Sequence, residues 1–153
     1  HKVLPDPVDM VFYFSTREPQ AWLRSCHAQH LRAIRMVQTA EEYATQYAES
    51  ARLDRILQKI KIAVAPFQVV SSRLETNMKT PLGPLTPIMN LLDISPEIRR
   101  KIQVIPPANV TVPKDLRDEF LALNQSDMGY DELRRTKNAA RKKWLTAQNG
   151  PDS

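Results

Sequence analysis

Apolar and polar positions alternate with helical spacing over a long central stretch of the chain. Residues 20–65 contain neither glycine nor proline, although the chain has twelve prolines. Apolar residues recur here every three or four positions, which places their side chains on one face of an α-helix. The first such face comprises Trp22, Leu23, Cys26, His30, Ala33, Ile34 and Val37. The second comprises Tyr43, Tyr47, Ala51, Leu53, Ile56, Leu57, Ile60 and Val64.

A capping signal divides this stretch into two helices. Thr39 and Glu42 have the spacing of a capping box, in which each side chain accepts a hydrogen bond from the other residue's backbone. We therefore expect one helix from about Arg17 to Gln38 and a second that runs to about Ala65. Together they supply most of the surface on which a core can form.

An aromatic run precedes the helices. It consists of Val11, Phe12, Tyr13 and Phe14. Two upstream prolines favour an extended backbone, and residues of these types have strand propensity. Because no second strand is evident, we expect an extended arm that lies across the helical core. The four side chains either fill the core or form an apolar contact with a partner protein.

Helical spacing continues after Pro66. The apolar positions there are Phe67, Val70, Leu74 and Met78, which predicts a third helical segment. Residues 79–87 then contain three prolines and one glycine, the composition of a loop.

Shorter helices are predicted in the rest of the chain. Thr86 and Ser95 each precede a proline, as a capping residue does before the first turn of a helix. A further helix is expected to begin at Pro113, and the last helix runs from Tyr130 to about Gln148.

These elements predict an all-α fold, an irregular multi-helix bundle with an extended N-terminal arm. We expect the arm, which leads into the first helix, over residues 1–19, a single helical domain over residues 20–148 and a flexible tail over residues 149–153. The predicted core residues are Trp22, Ile34, Leu57, Leu92, Phe120 and Trp144.

Composition narrows the class of protein. The chain has 153 residues, 42% of them hydrophobic and 25% charged, which is typical of a globular domain. Three glycines are too few for a protein rich in hairpins or glycine-built phosphate loops. A single cysteine fits a reducing, intracellular compartment. No apolar run reaches the length of about eighteen residues that a membrane span needs, so no membrane partner is expected.

Positive charge concentrates near the C-terminus. The formal net charge is +5, and six basic residues fall within ten positions of the last helix. They are Arg134, Arg135, Lys137, Arg141, Lys142 and Lys143. Such a cluster attracts an acidic peptide or protein segment, or neutralises the phosphates of a nucleic acid. It is equally typical of a solvated face near a helix C-terminus, where the helix dipole favours cations.

Residues capable of catalysis or metal binding are sparse. Cys26 and His30 share a helix face with His27 beside them, but two ligands do not complete a tetrahedral zinc site. The three residues also lie in an apolar stripe, as packed side chains do. Acidic residues occur as adjacent pairs, whose side chains diverge around a helix. We therefore expect no catalytic residue, no metal, no cofactor and no small-molecule substrate.

Three motifs in the C-terminal half resemble a known family. They are Leu-Leu-Asp-Ile at residues 91–94, Ile-Arg-Arg-Lys-Ile at 98–102 and Ala-Ala-Arg-Lys-Lys-Trp-Leu at 139–145. This pattern resembles the helical N-terminal module of transcription elongation factor S-II and its relatives. The chain differs from that module by the segment at 104–129 and by the whole stretch at 20–65.

The resemblance implies a nuclear interaction module that receives short disordered motifs from transcription or chromatin proteins. Trp144 would then be a core anchor, and the basic helix would recruit acidic segments. The expected function is thus a noncatalytic protein-interaction or scaffold domain, in the nucleus rather than the cytoplasm. The alternative is a nucleic-acid-binding domain that uses the basic helix.

Overall fold

A computed structural model describes residues 10–104 and 112–148 of the chain. Its helices are α1 Pro19–Ala33, α2 Ala40–Gln46, α3 Leu53–Ala63, α4 Leu74–Asn77, α5 Thr86–Leu91, α6 Pro96–Lys101, α7 Lys114–Gln125 and α8 Tyr130–Gln148. Single 3-10 turns lie at Glu49–Ala51 and Gly83–Leu85, and the strands are β1 Val11–Thr16 and β2 Gln68–Arg73.

The described residues form two compact units. The sheet unit comprises residues 10–21 and 50–104, and the helical unit comprises residues 22–49 and 112–148. The sequence-based domain boundaries, with one domain over residues 20–148, stay a prediction. The predicted tail at 149–153 lies outside the described residues.

The predominantly helical character is confirmed, but the strictly all-α prediction is wrong. In the sheet unit β1 pairs in parallel with β2, in a register that runs from Val11 opposite Gln68 to Thr16 opposite Arg73. The apolar spacing after Pro66 predicts a helix where the structure has β2. A parallel pair requires a long connection between its strands, so local periodicity does not reveal the partner.

The aromatic run at residues 11–14 belongs to this sheet and is not an unpaired arm. The ring of Phe12 lies 6.1 Å from that of Phe67, centroid to centroid. The Tyr13 hydroxyl is 2.7 Å from the Ser72 hydroxyl, which also accepts a 2.7 Å hydrogen bond from the Asn77 side chain. All four side chains of the run are half-buried. Residues 1–9 of the predicted arm lie outside the described residues.

The capping box at the start of α2 is confirmed. The backbone N–H of Glu42 donates to the Thr39 hydroxyl at 3.2 Å, and the N–H of Thr39 donates to the Glu42 carboxylate at 2.8 Å. The bond from the Thr39 N–H, and a second bond of 2.9 Å from the Thr39 hydroxyl to the same carboxylate, hold the pKa of Glu42 below its ordinary value. The long stretch is nevertheless more divided than predicted, because α1 ends at Ala33 and residues up to Ala63 form two helices with a turn between them.

The shorter helices begin close to their predicted positions. The Ser95 hydroxyl caps α6 by accepting a 3.4 Å bond from the N–H of Ile98. Thr86, predicted as a cap, instead lies inside α5, and its hydroxyl is 2.6 Å from that of Thr80. The predicted span of α8 is the observed one.

The core prediction is right for one residue and wrong for two. Phe120 is fully buried, whereas Ile34 and Leu92 are 49% and 62% exposed. Both exposed residues lie just beyond the end of a helix, where the helical periodicity that predicts them to be buried no longer applies. The remaining three are half-buried: Trp22, Leu57 and Trp144.

Buried apolar residues concentrate in the helical unit. They are Leu23, Ala28, Leu31, Met36, Tyr43, Leu116, Phe120 and Leu133. In the described part of the sheet unit, only Ala51 and Asn77 are buried to the same degree.

No described helix is both long enough and apolar enough to cross a membrane.

Candidate functional site

The basic residues of α8 do not form one cluster. Four of them lie in two rows on one side of the helix, Arg134 with Arg141 and Arg135 with Lys142. Members of a row are seven residues apart, which is two helical turns or about 10.5 Å along the axis. Three of the side chains are exposed and that of Arg141 is half-buried. We call these four residues the basic face.

Lys143 lies on another side of α8. It follows Arg134 by nine residues, which rotates it by about half a turn around the helix. There it lines a groove between α7 and α8 with Trp144 and with the acidic residues Asp115 and Glu119. Lys143 therefore shares this groove with two acidic residues, and we do not count it in the basic face.

Lys137 is buried, which corrects its assignment as a contact for an anionic partner. Its side chain is 4% exposed, and the Nζ atom donates to the carbonyl oxygens of Leu31 at 2.7 Å and Ile34 at 2.8 Å. Burial lowers the pKa of Lys137 below its ordinary value, and the charge of Arg35 lowers it further. The ammonium group therefore hydrogen-bonds to backbone carbonyls at the C-terminal end of α1 and is shielded from solvent.

Other side chains also bind the backbone at the end of α1. The amide nitrogen of Asn124 donates to the carbonyl oxygens of Leu31 at 3.1 Å and Met36 at 2.8 Å. A bond also runs in the opposite direction: the guanidinium of Arg35, just after α1, donates at 2.7 Å to the carbonyl oxygen of Ser126, just after α7. Helix termini leave carbonyl groups without intrahelical partners, and these bonds satisfy several of them. They also hold α1, α7 and α8 in a fixed arrangement.

A small cleft lies beside this junction, between the end of α1 and the start of α8. Its lining residues are Arg32, Ala33, Ile34, Arg35, Tyr130, Leu133, Arg134 and Lys137. Four of the eight are basic and none is acidic. Ile34 is 49% exposed and Tyr130 is 66% exposed, so both present apolar surface to solvent. We call this site the α1–α8 cleft.

Sequence reasoning identifies only part of this site. Arg134 belongs to the predicted basic cluster, whereas Ile34 falls on a face that the apolar spacing predicts to be buried. The sequence signal for the exposure of Tyr130 is its position as the first residue of α8, where a side chain has no preceding turn to pack against. Nothing local in the sequence indicates that Arg32 lies near α8.

The histidines of α1 contribute to packing. The Nε2 atom of His27 is 2.9 Å from the carbonyl oxygen of Gln38, and Nδ1 of His30 is 3.1 Å from the Tyr43 hydroxyl. The rings of both histidines also contact that of Tyr43, with centroids 5.1 and 5.6 Å apart. In the part of the chain that the structure describes, no three histidine, cysteine, aspartate or glutamate residues converge as ligands for a metal ion.

Comparisons of the chain with protein-family models, with curated proteins and with solved structures found no match. The resemblance to the elongation factor S-II module therefore stays a hypothesis.

Proposed function

We propose that the helical unit is a noncatalytic protein-interaction domain that binds an acidic segment of a partner through the basic face. The observation that supports this proposal is the arrangement of Arg134, Arg135, Arg141 and Lys142 in two rows on one side of α8. None of the salt bridges described in the structure engages any of the four. Their charges are therefore available to an external carboxylate.

The rigidity of the helical unit also favours binding. The bond from Lys137 holds α8, and the bond from Asn124 holds α7, against the end of α1 before any partner arrives. A preorganised surface loses less conformational freedom when it binds, and clustered charges of one sign accelerate encounter with a segment of opposite sign. Arginine is also enriched at protein interfaces.

The cellular setting of the proposal comes from the resemblance to the elongation factor S-II module. Under this proposal the chain acts in the nucleus as a scaffold for transcription or chromatin proteins, and the partner's acidic segment is a short disordered motif. Trp144, half-buried between α7 and α8, supports the fold of the module and does not contact the partner.

Nucleic-acid binding is the second candidate function, and the geometry of the basic face is the observation that favours it. Two parallel rows of cations along a helix can contact successive phosphates of a backbone. Binding of that kind depends steeply on salt, because each neutralised phosphate releases condensed counterions. A partner held by apolar contacts and selected by sequence retains more of its affinity at physiological salt.

Peptide selection with a charge-reversal variant tests the proposal. A library of random sixteen-residue peptides is displayed on phage and selected on nuclease-treated protein at about 0.15 M salt, near physiological ionic strength. The dissociation constants of the enriched peptides are then measured for wild type and for R134E/R135E/R141E/K142E. The matched control is K59E/K61E/R73E/K79E, which reverses four exposed charges in the sheet unit. A twenty-base-pair DNA duplex and a single-stranded RNA are titrated in parallel across a salt series.

We expect enriched peptides to be acidic and to lose at least about tenfold in affinity for the α8 variant, which corresponds to about 1.4 kcal/mol. The control variant should change affinity by less than about threefold, because its four charges belong to the sheet unit and not to the basic face. The proposal is wrong if no peptide is enriched, or if only nucleic acid binds and the α8 variant alone abolishes that binding.

A further inference from the structure

The α1–α8 cleft combines exposed apolar surface with positive charge. A helix whose basic face is only solvated requires no apolar surface beside its charges. Tyr130 and Ile34 are large and well exposed, although Ile34 follows the end of α1 and Tyr130 begins α8. Single exposed apolar residues are common on protein surfaces and need no explanation. Here the two line the same concave site, and arginines from both helices line it with them.

The charge of the cleft is unbalanced. Arg32, Arg35 and Arg134 line it together with the buried Lys137, and no acidic residue is among its lining residues. The Arg35 guanidinium already donates to backbone carbonyl oxygens after α7, and Lys137 donates to those of α1. Arg32 and Arg134 are the two cations that remain for an external group. An anionic ligand is the chemical complement of this site.

We propose that the α1–α8 cleft binds an acidic peptide segment by one apolar anchor residue. The anchor packs against Ile34 and Tyr130, and an adjacent aspartate or glutamate carboxylate lies between Arg32 and Arg134. Tyrosine and arginine are the residue types that dominate binding energy at protein interfaces. The cleft itself encloses only about 20 Å³, the space of about one water molecule, so the anchor lies across the exposed surfaces of Ile34 and Tyr130 and not inside the cleft.

This inference rests on the proposed function, because it assigns an anchor to the partner that the basic face attracts. The proposed function and this inference assign different roles to neighbouring residues. The basic face attracts any acidic segment through its positive charge. The cleft makes binding selective, because it favours an acidic segment that carries an aromatic or aliphatic residue over one that does not.

Defined peptides separate these roles. The probe is a twelve-residue glutamate-rich peptide with one central phenylalanine, and the comparison peptides replace phenylalanine by alanine or the glutamates by glutamine. Binding is followed by nuclear magnetic resonance up to millimolar peptide, so that weak complexes are detected. The variant I34S/Y130S removes the apolar surface of the cleft. Its matched control is L92S/I98S, which removes two residues of the sheet unit that are 62% and 53% exposed.

We expect wild type to bind the phenylalanine peptide at least about tenfold more tightly than the alanine peptide. This preference should fall to less than about twofold in I34S/Y130S and persist in L92S/I98S. In R32Q/R134Q, affinity for the phenylalanine peptide should fall toward that of the glutamine peptide. Because all four serine substitutions replace exposed side chains, circular dichroism should show that the variants remain helical.

The inference is overturned if wild type shows no preference for phenylalanine, including no binding at millimolar peptide, or if the preference survives in I34S/Y130S. The variant R135E/R141E/K142E distinguishes this failure from failure of the proposed function. If acidic peptides bind through those three residues without a phenylalanine preference, the proposed function is supported and the inference about the cleft is wrong. If the preference is present but charge reversal has no effect, the inference about the cleft is supported and the proposed role of the basic face is wrong.

Discussion

The ammonium nitrogen of Lys137 lies 2.7 Å from the carbonyl oxygen of Leu31, a residue 106 positions earlier in the chain. A second bond of 2.8 Å joins it to the carbonyl oxygen of Ile34. The cation therefore lies at the C-terminal end of α1, where the helix dipole is negative and carbonyl groups lack intrahelical partners. This contact connects the first and last helices of the helical unit.

Replacing Lys137 by methionine should destabilise the protein. The change keeps the approximate length of the side chain but removes its bonds to the Leu31 and Ile34 carbonyl oxygens, and a hydrogen bond from a charged group contributes about 1.5–3 kcal/mol. Lys142→Met, on the exposed basic face, should change the free energy of unfolding by less than about 0.5 kcal/mol. Urea denaturation measures both. Equal stabilities of the two variants would show that the Lys137 bonds contribute nothing net.

The stability difference between wild type and Lys137→Met should depend on pH. Burial lowers the pKa of Lys137 in the folded state below its ordinary value of 10.5. Between the lowered pKa and 10.5 the unfolded chain holds a proton that the folded protein has lost, so stability rises with pH across this window. Denaturation at pH 7 and at about pH 10 should show the gap widening in favour of wild type. A gap that narrows would mean that the ammonium form is favoured by folding.

Phe120 should be the most sensitive apolar position of the helical unit. Its side chain is fully buried, and replacing a buried phenylalanine by alanine costs about 3–5 kcal/mol through lost burial and a residual cavity. Ile34→Ala, in the same unit but 49% exposed, should cost far less. Thermal and urea unfolding of the two variants measure the difference. Similar losses at both sites would indicate that Ile34 is covered in solution.

Thr39→Ala should weaken the start of α2. The variant loses the hydroxyl that accepts the Glu42 N–H, and loss of such a cap costs about 1 kcal/mol. Ser15→Ala, an exposed serine in β1, serves as the control and should be nearly neutral. Hydrogen exchange of the α2 amides, together with global unfolding, measures the effect. Unchanged protection of these amides in Thr39→Ala would show that tertiary packing alone maintains the helix.

Local physical signals in the sequence determined most of the helices. The Thr39 and Glu42 pair indicated the start of α2, and Ser95 indicated the start of α6, because a capping bond joins residues only three positions apart. The apolar spacing of α7 likewise identified Phe120 as a core residue. These interactions are complete within a turn or two of helix, so the sequence alone specifies them.

Tertiary structure decided the features that join distant segments. The pairing of β1 with β2 links residues 57 positions apart, and no local pattern identifies such a partner. The helical periodicity also continued past the ends of α1 and α5, where it wrongly placed Ile34 and Leu92 in the core. By sequence Lys137 is one more charge in a basic run, and only the packing of α1 against α8 buries it. The sequence determines that residue 137 is a lysine, but whether its amino group faces solvent or a buried carbonyl is decided by which helix packs against it.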